Sequence, residues 1–564
     1  MNRLIALAGL MLLCGVVAAN AATIVIVNMD GAGEGFNDPT PVAPVGGNPG
    51  TTIGQQRLNV FQAAADIWGA ALPSDVTIRV RSQFNALSCD ATGAVLGSAG
   101  PIEVFRDFTG AEVTGTWYHV ALANRLAGVD LAPSTDDISA TFNSSIDNND
   151  NCLAGTNWYY GLDGNEGSDV ELLPVVLHEL GHGLGFSTLV SSSGSEFLGF
   201  QDRYEMLIHD NSTGLNWHEM TNAQRATSAV NTGNVVWDGL AVSLLADDFL
   251  GGAPVMTVHS PPSLAGTIRV GTAAFGPSLT DTGVTGDIVL VDDGTGTVTD
   301  ACEPIVNGAQ VAGNIALIDR GSCTFVSKAL AAQAVGAIAV VIANNQPDPD
   351  PITLGGSDPS ITIPVVSITL ADGNAIKAEL GTGVNVTLQL DPNQLAGTDA
   401  NGRVLLYAPN PYEGGSSISH WDVSALPNLL MEPAINSSLS SDVDLTLAHF
   451  DDIGWLDIIS GVEDEGVPER QLADVAVLPS YPNPFNPSTT IRYEIANTQE
   501  VRLAVYDVQG RLVRSLVDGV ETAGVHEVKW AGRDDRGQPV SSGIYFVRLS
   551  GEGRVATGKI VLAK

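Results

Sequence analysis

Leu177-His178-Glu179-Leu180-Gly181-His182-Gly183-Leu184-Gly185-Phe186 is the stretch on which the reading of this chain turns. On a helix, residues four apart stand one above the other, so the imidazoles of His178 and His182 can converge on one ion. Glu179 then lies beside them, where its carboxylate can hold a water and take its proton. Two neutral imidazoles with an open position describe a catalytic zinc centre, whereas structural zinc is usually closed by cysteines.

The flanking residues predict a helix. Ser168-Asp169-Val170-Glu171 reads as a capping box, and Leu172, Leu173, Val175, Val176, Leu177 and Leu180 predict a largely buried segment. Pro174 either kinks this helix or is the first residue of one that starts later. Both versions keep the two histidines on adjacent turns.

A third ligand must come from elsewhere. The pattern H-E-x-x-H-x-x-G-x-x-H would place it at 188, but Thr188 carries only a hydroxyl. Two candidates remain. One is His420, in Ser419-His420-Trp421-Asp422, which precedes Asn428-Leu429-Leu430-Met431-Glu432-Pro433. The other is Glu205, in Gln201-Asp202-Arg203-Tyr204-Glu205, a carboxylate placed beyond the second histidine as in thermolysin-like peptidases. His209, His218, His259, His449 and His526 sit in no ligand spacing and read as solvated or structural.

The 564 residues exceed what one core organises, so three or four domains are expected. A formal charge of −38 argues against nucleic acid and anionic membranes as partners. About half of the Lys and Arg residues follow Gln471, which leaves the acidity in the body of the chain. Such a surface suits solubility, salt or calcium, and calcium is carried as a second candidate ion beside zinc. Residues 1–21 read as a secretory signal: Arg3, the apolar run Leu4 to Ala18, and Ala19-Asn20-Ala21 as cleavage site. No later stretch is long and apolar enough to span a bilayer. Four cysteines follow the signal. In an exported chain an even count favours disulfides, and Cys89–Cys152 with Cys302–Cys323 keeps each pair inside one proposed domain; four buried thiols are the alternative.

Thr23 to Val27 reads as a strand and Gln55 to Trp68 as a helix with Leu58, Phe61, Ala65 and Trp68 on one face. Val76, Ile78 and Val80 alternate with Thr77, Arg79 and Arg81, a half-exposed strand. Ile138–Phe142 is a further strand, either the candidate edge on which an extended peptide could pair beside the metal or an ordinary core strand.

His178-Glu179-x-x-His182-x-x-Gly185-Phe186, a long insertion, then Ser-His-Trp and Leu-Met-x-Pro resembles the leishmanolysin-like branch of the metzincin metallopeptidases. The resemblance covers roughly 23–185 and 396–458. It implies that His420 completes a three-histidine site, that Gly185 turns the chain at the helix end, and that Met431 forms a methionine turn beneath the metal. The departure is an insertion of more than two hundred residues between Gly185 and His420.

Within that insertion, Ile315–Ile318 reads as a strand, Thr324 as the cap of a helix over Phe325–Val335 that Gly336 ends, and Ala337–Ala343 as a second strand. Ile363–Ile368 adds another. Strand–helix–strand implies a right-handed crossover. Gly313 to Phe325, Lys328-Ala329, Ala337 to Asn344 and Ile363 to Ile368 resemble the protease-associated (PA) domain over about 255–393. In that family the domain is non-catalytic and is thought to bind or restrict access of protein substrates. Asp319 and Arg320 read as a structural ion pair at a strand end. The region between Ser187 and Pro254, with Trp217 and Trp237, carries no assigned role.

Gly461 to Arg470 reads as a charged linker. Beyond it, Ile491/Tyr493/Ile495, Val501/Leu503/Val505, Val528/Trp530, Tyr545/Val547/Leu549 and Ile560/Leu562 alternate between turns, which predicts a small β-sandwich. Tyr481 to Pro487, Val505-Tyr506-Asp507-x-x-Gly510-Arg511 and Ser542 to Phe546 resemble the C-terminal immunoglobulin-like sorting domain of the type IX export route, and are similar to the Ig-like domain of flagellar hook-capping proteins. The resemblance implies delivery to the cell surface or medium.

The expected architecture is multidomain α+β: a metzincin-like zinc peptidase domain, an inserted α/β PA domain and a C-terminal Ig-like β-sandwich. The bounds are a signal at 1–21, peptidase at 22–254, PA domain at 255–393, peptidase again at 394–460, linker at 461–474 and Ig-like domain at 475–564. The expected activity is secreted zinc endopeptidase action on proteins or peptides, with Glu179 as base, His178, His182 and His420 on zinc, and the type IX machinery as export partner. The rival readings are an inactive cell-surface binding protein and a thermolysin-like zinc exopeptidase using Glu205.

Overall fold

Four strands and the helices against them build the body that carries His178 and His182. In the computed structural model, described over residues 21–347, 351–434, 439, 442–456 and most of 475–562, these strands are β1 (Ile24–Asn28), β2 (Ile78–Asn85), β3 (Gly97–Pro101) and β4 (Ile138–Asn143). Their order is β1-β2-β4-β3, with β1, β2 and β4 parallel and β3 antiparallel. In β2 the period-two pattern puts Ile78, Val80 and Phe84 inside while Arg79 and Arg81 face water. The signal segment up to residue 20 and the linker 461–474 lie outside the described residues.

The expected substrate edge is displaced by this order. Ile138–Phe142 lies in β4, an inner strand, and the edge beside the histidine helix is β3. Its sequence, Gly97-Ser98-Ala99-Gly100-Pro101, lacks the β-branched and aromatic residues that mark a strand, and glycine and proline are tolerated where one side is unpaired.

Helix α1 (Ile53–Ala71) crosses from β1 to β2 and is longer than predicted, because Thr52 accepts a bond from the Gln55 N–H and starts it earlier. Its buried face is Val60, Phe61, Ala64, Ala65 and Trp68; Leu58 is exposed instead. Helix α2 (Val120–Ala127) follows β3, and helix α3 (Leu172–Leu184) carries the motif with all thirteen residues buried. No capping box starts α3. Val170–Glu171 pair as a short strand with Trp158–Tyr159, and Glu171 precedes the helix without a side-chain cap. Pro174 neither kinks α3 nor begins it. It is the third helical residue, where a backbone N–H would have no intrahelical partner to lose. The indoles of Trp68 and Trp455 donate to the carbonyls of Leu177 and Leu184, at 3.0 and 2.8 Å. Truncating such a buried aromatic typically costs about 3–5 kcal/mol.

Residues 404–434 and 442–455 return to this same core: Leu406, Trp421, Leu430, Met431 and Phe450 pack with Trp68, Leu177 and Phe186. Helices α4 (Leu240–Phe249) and α7 (Thr446–Asp452) pack together here. Between them lies a separate eight-stranded sheet in the order β6-β5-β12-β8-β9-β10-β11-β7. Its strands are β5 (Gly252–Ser260), β6 (Gly266–Arg269), β7 (Gly271–Thr272), β8 (Val284–Leu290), β9 (Ile315–Asp319), β10 (Ala339–Ala343), β11 (Val365–Ile368) and β12 (Asn385–Leu395). The middle four, β8 to β11, are parallel; β9, β10 and β11 are buried and mostly aliphatic, while β8 buries only Ile288. Helix α5 (Phe325–Ala334), capped by Thr324, joins β9 to β10, and α6 (Leu370–Glu379) follows β11. The disulfides are Cys89–Cys152 and Cys302–Cys323. Asp319 and Arg320 do not pair with each other: Asp319 meets Lys377 and the Thr299 hydroxyl, and Arg320 donates to Asn344.

Residues 460–564 form a second unit. It has two antiparallel sheets, β13 (Val475–Tyr481), β14 (Thr489–Ile495) and β17 (Gly524–Trp530) in one, and β16 (Leu512–Glu521), β15 (Gln499–Asp507), β18 (Gly543–Gly551) and β19 (Arg554–Leu562) in the other. Ile491, Tyr493, Leu503, Val505, Val547 and Leu549 face inward between them, as the alternation predicts.

Candidate metal centre

Three imidazoles from distant parts of the chain meet at one point. His178 and His182 are presented one turn apart by α3, which ends at Gly185, whose φ of +134° suits glycine and whose N–H bonds back to the carbonyls of Gly181 and His182. The third, His420, arrives on the segment between Ser416 and Met431. The Nε2 atoms are 3.1 Å apart for His178–His182 and 3.2 Å for each of the other two pairs. All three side chains are at most 8% exposed.

The other ring nitrogens fix the tautomers. His178 Nδ1 donates to the Leu430 carbonyl at 2.7 Å, His182 Nδ1 to Phe186 at 2.8 Å and His420 Nδ1 to Ser416 at 2.8 Å. A carbonyl only accepts, so each Nδ1 carries the proton and each neutral ring turns a bare Nε2 lone pair inward. Three lone pairs facing one another without a donor between them repel unless a cation lies among them. Tetrahedral zinc with Zn–N near 2.0 Å separates its nitrogens by about 3.3 Å, so the donor set fits zinc. Burial lowers the pKa of all three, to about 4 at His178 and about 3 at His182, which keeps them in the metal-binding form.

Glu179 is 7% exposed, and burial pushes its carboxyl up to about 8 against the Ala99 N–H of β3, which favours the charged form. A neighbouring dication favours the carboxylate further. A Cβ on Gly97 would stand 2.9 Å from Glu179 Cγ and Oε1, so β3 approaches the glutamate through a position that only glycine fills without displacing it. Met431 is fully buried, and its sulfur lies beneath α3 where Gly181 has no side chain.

Glu205 does not join this cluster. It is fully buried, forms an ion pair with Arg225 at 3.2 Å, and exchanges backbone contacts with Asp202. Burial and the Asp202 charge raise its pKa to about 8, against Arg225. The physical reason is the short turn Asp202–Leu207, which aims Glu205 at Arg225 while His420 fills the third corner. Thr188 likewise donates to Asp202, at 2.8 Å.

Two features had no sequence signal. The contact of Gly97 and Ala99 with Glu179 comes from an edge strand of small residues. His119, passed over in the sequence, is buried beside His182 with Nε2 3.5 Å from Ser187 Oγ; burial lowers its pKa to about 4.

His449 is structural, as expected, but unusually placed. It is fully buried, neither ring nitrogen has a hydrogen-bond partner, and it packs against Phe186 at 4.2 Å and Trp237 at 4.3 Å between ring centroids. Burial holds its pKa well below the usual value. The unfolded chain therefore takes up this proton near pH 6.5 while the folded chain does not, so wild-type stability falls as pH drops below 6.5. His449→Phe removes that loss together with an unsatisfied buried polar group. It is expected to stabilise by about 1–2 kcal/mol at pH 7 and by more at pH 5, read from urea midpoints of the zinc-loaded protein. Lower midpoints at both pH values would contradict this account.

A PA domain model matches residues 284–376, and a FlgD Ig-like domain model matches residues 488–554. The chain is 32% identical over 109 residues to PRADC1-like protein of Drosophila melanogaster, covering 19% of this chain and 53% of that one. It is 32% identical over 142 residues to probable leucine aminopeptidase 2 of Aspergillus fumigatus, covering 22% and 28%. A zinc aminopeptidase structure from Bacillus subtilis aligns at 26% identity and a TM-score of 0.20, over 27% of this chain and 35% of that one, an overlap that carries no argument about the fold. The chain thus spans about half of the first relative and about a quarter of the second. Among the described residues, no helix is long and apolar enough to cross a membrane. The chain therefore contains a PA domain and an Ig-like domain, in a multidomain framework that also presents a three-histidine cluster.

Proposed function

We propose that this chain is an exported zinc-dependent peptidase that cleaves within protein or peptide chains, with His178, His182 and His420 holding zinc and Glu179 as general base. The observation that carries the reading is the convergence of three bare Nε2 atoms beside a glutamate held by an edge strand. The H-E-x-x-H-x-x-G helix, the late histidine and Met431 beneath it support a metzincin-like arrangement. Zinc, when bound, supplies Lewis acidity towards the scissile carbonyl and the attacking water. Glu179 accepts the water's proton and delivers it to the leaving amine, with the Ala99 N–H orienting its carboxylate. The free side of β3 offers backbone groups to an extended peptide, a mode that places an internal bond beside Glu179. The PA domain is proposed to govern access of protein substrates, and the Ig-like domain to direct export by the type IX route.

Similarity to an aminopeptidase favours a second reading, removal of terminal residues. An internally quenched peptide blocked at both ends separates the two when set beside an aminoacyl nitroanilide. Cleavage of the blocked peptide, abolished by 1,10-phenanthroline and restored by zinc, is expected. Cleavage of the nitroanilide alone would favour the exopeptidase, and inactivity of zinc-loaded protein on both would favour the binding-protein reading.

Gly97→Ala tests the role of β3. The added methyl displaces Glu179 without touching the histidines, so kcat is expected to fall about tenfold or more, equivalent to about 1.4 kcal/mol, with zinc content unchanged. Unaltered kcat would remove β3 from the account.

A further inference from the structure

The PA domain carries a second cluster of potential ligands, unrelated to the histidine site. Asp293, Asp300 and Glu303 each offer a carboxylate oxygen, and these oxygens lie within 4.8 Å of one another. That limit is twice a calcium–oxygen distance of about 2.4 Å, so one ion can touch all three. Asp293 is only 3% exposed, and neither of its carboxylate oxygens has a hydrogen-bond partner. A buried carboxylate left in that condition is costly, and a cation is what relieves it.

The surroundings hold the loop in place. Asp293 and Asp300 donate their N–H groups to the carbonyls of Val298 and Thr297, at 2.9 Å each, and Cys302 is tied to Cys323. Asp300 accepts from the Cys302 N–H at 3.1 Å and occupies the space that a side chain at Gly321 would take. The nearby cation is the buried Lys328 ammonium, which donates to the Asp300 carbonyl and lies 3.4 Å from the Cys302 sulfur. One ammonium leaves the three carboxylates with net negative charge.

We propose that Asp293, Asp300 and Glu303 form a binding site for a hard divalent cation, calcium. Oxygen-only ligands select calcium over zinc. The exposed position of Glu303 leaves room for waters to complete six to eight ligands, a flexibility that magnesium's strict octahedron does not share.

Calorimetric titration of calcium into the zinc-loaded full chain tests this, with thermal melting in parallel. The wild type is expected to bind calcium and melt higher with it. Asp293→Asn and the exposed Glu303→Gln are each expected to weaken that binding at least tenfold, and Asp281→Asn, at an exposed position in the same domain, to leave it unchanged. Without calcium, Asp293→Asn is expected to melt above the wild type, because the uncompensated charge is gone. The proposal is overturned if the wild type binds no calcium, if Asp293→Asn and Glu303→Gln bind it as the wild type does, or if calcium-free Asp293→Asn melts lower, which would make Lys328 the sufficient partner.

Discussion

Glu179→Gln is expected to retain zinc and to lose peptide hydrolysis by about three orders of magnitude in kcat, the range general-base removal produces. The amide keeps the shape of the side chain and can still accept from the Ala99 N–H through its oxygen, but it cannot take a proton from water. Zinc content is unaffected because Glu179 is not among the three converging nitrogens. Steady-state kinetics on the blocked peptide, with metal analysis of the same sample, measures both quantities. A zinc-loaded Glu179→Gln enzyme of near wild-type rate would remove the proposed base.

His420→Ala and Glu205→Ala are expected to fail in different ways. Removing His420 leaves two imidazoles, and zinc affinity should fall by more than about a hundredfold, beyond what loss of an outer-shell partner produces. Removing Glu205 should leave zinc bound. It takes from Arg225, which is 2% exposed, one of two carboxylate partners, leaving Glu196 at 3.1 Å and the carbonyls of Gly194, Trp217 and Met220, so stability should fall by about 2 kcal/mol. Zinc titration with a competing chelator and urea unfolding separate the outcomes. Zinc loss in Glu205→Ala with retention in His420→Ala would reverse the ligand assignment.

Much of the fold was legible along the chain because its signals are local. Period-two alternation marked β2 and the strands of the Ig-like unit, and the Thr324 cap and Gly336 stop bracketed the PA helix. The same locality misled at α3. Ser168 to Glu171 has the spacing of a capping box, yet Val170 and Glu171 are drawn into pairing with Trp158 and Tyr159, which a one-dimensional pattern does not contain. Strand β3 was missed for the opposite reason: five small residues carry no periodic signal, and only pairing with β4 makes them a strand. Asp319 and Arg320, neighbours in sequence, point to different partners because their side chains leave the strand end in different directions.

By itself, the sequence determined the spacing of His178 and His182, the glutamate between them and the glycine that ends their helix, since helical spacing is a property of the chain; it favoured the disulfide partners without fixing them, because four cysteines leave three pairings open. Tertiary structure alone brought His420, and not Glu205, beside that pair, and placed Gly97–Pro101, and not Ile138–Phe142, at the sheet edge next to their helix. Both questions concern which atoms meet across hundreds of residues, and that is set by packing of the returning segment against a common core, where no short-range pattern reaches.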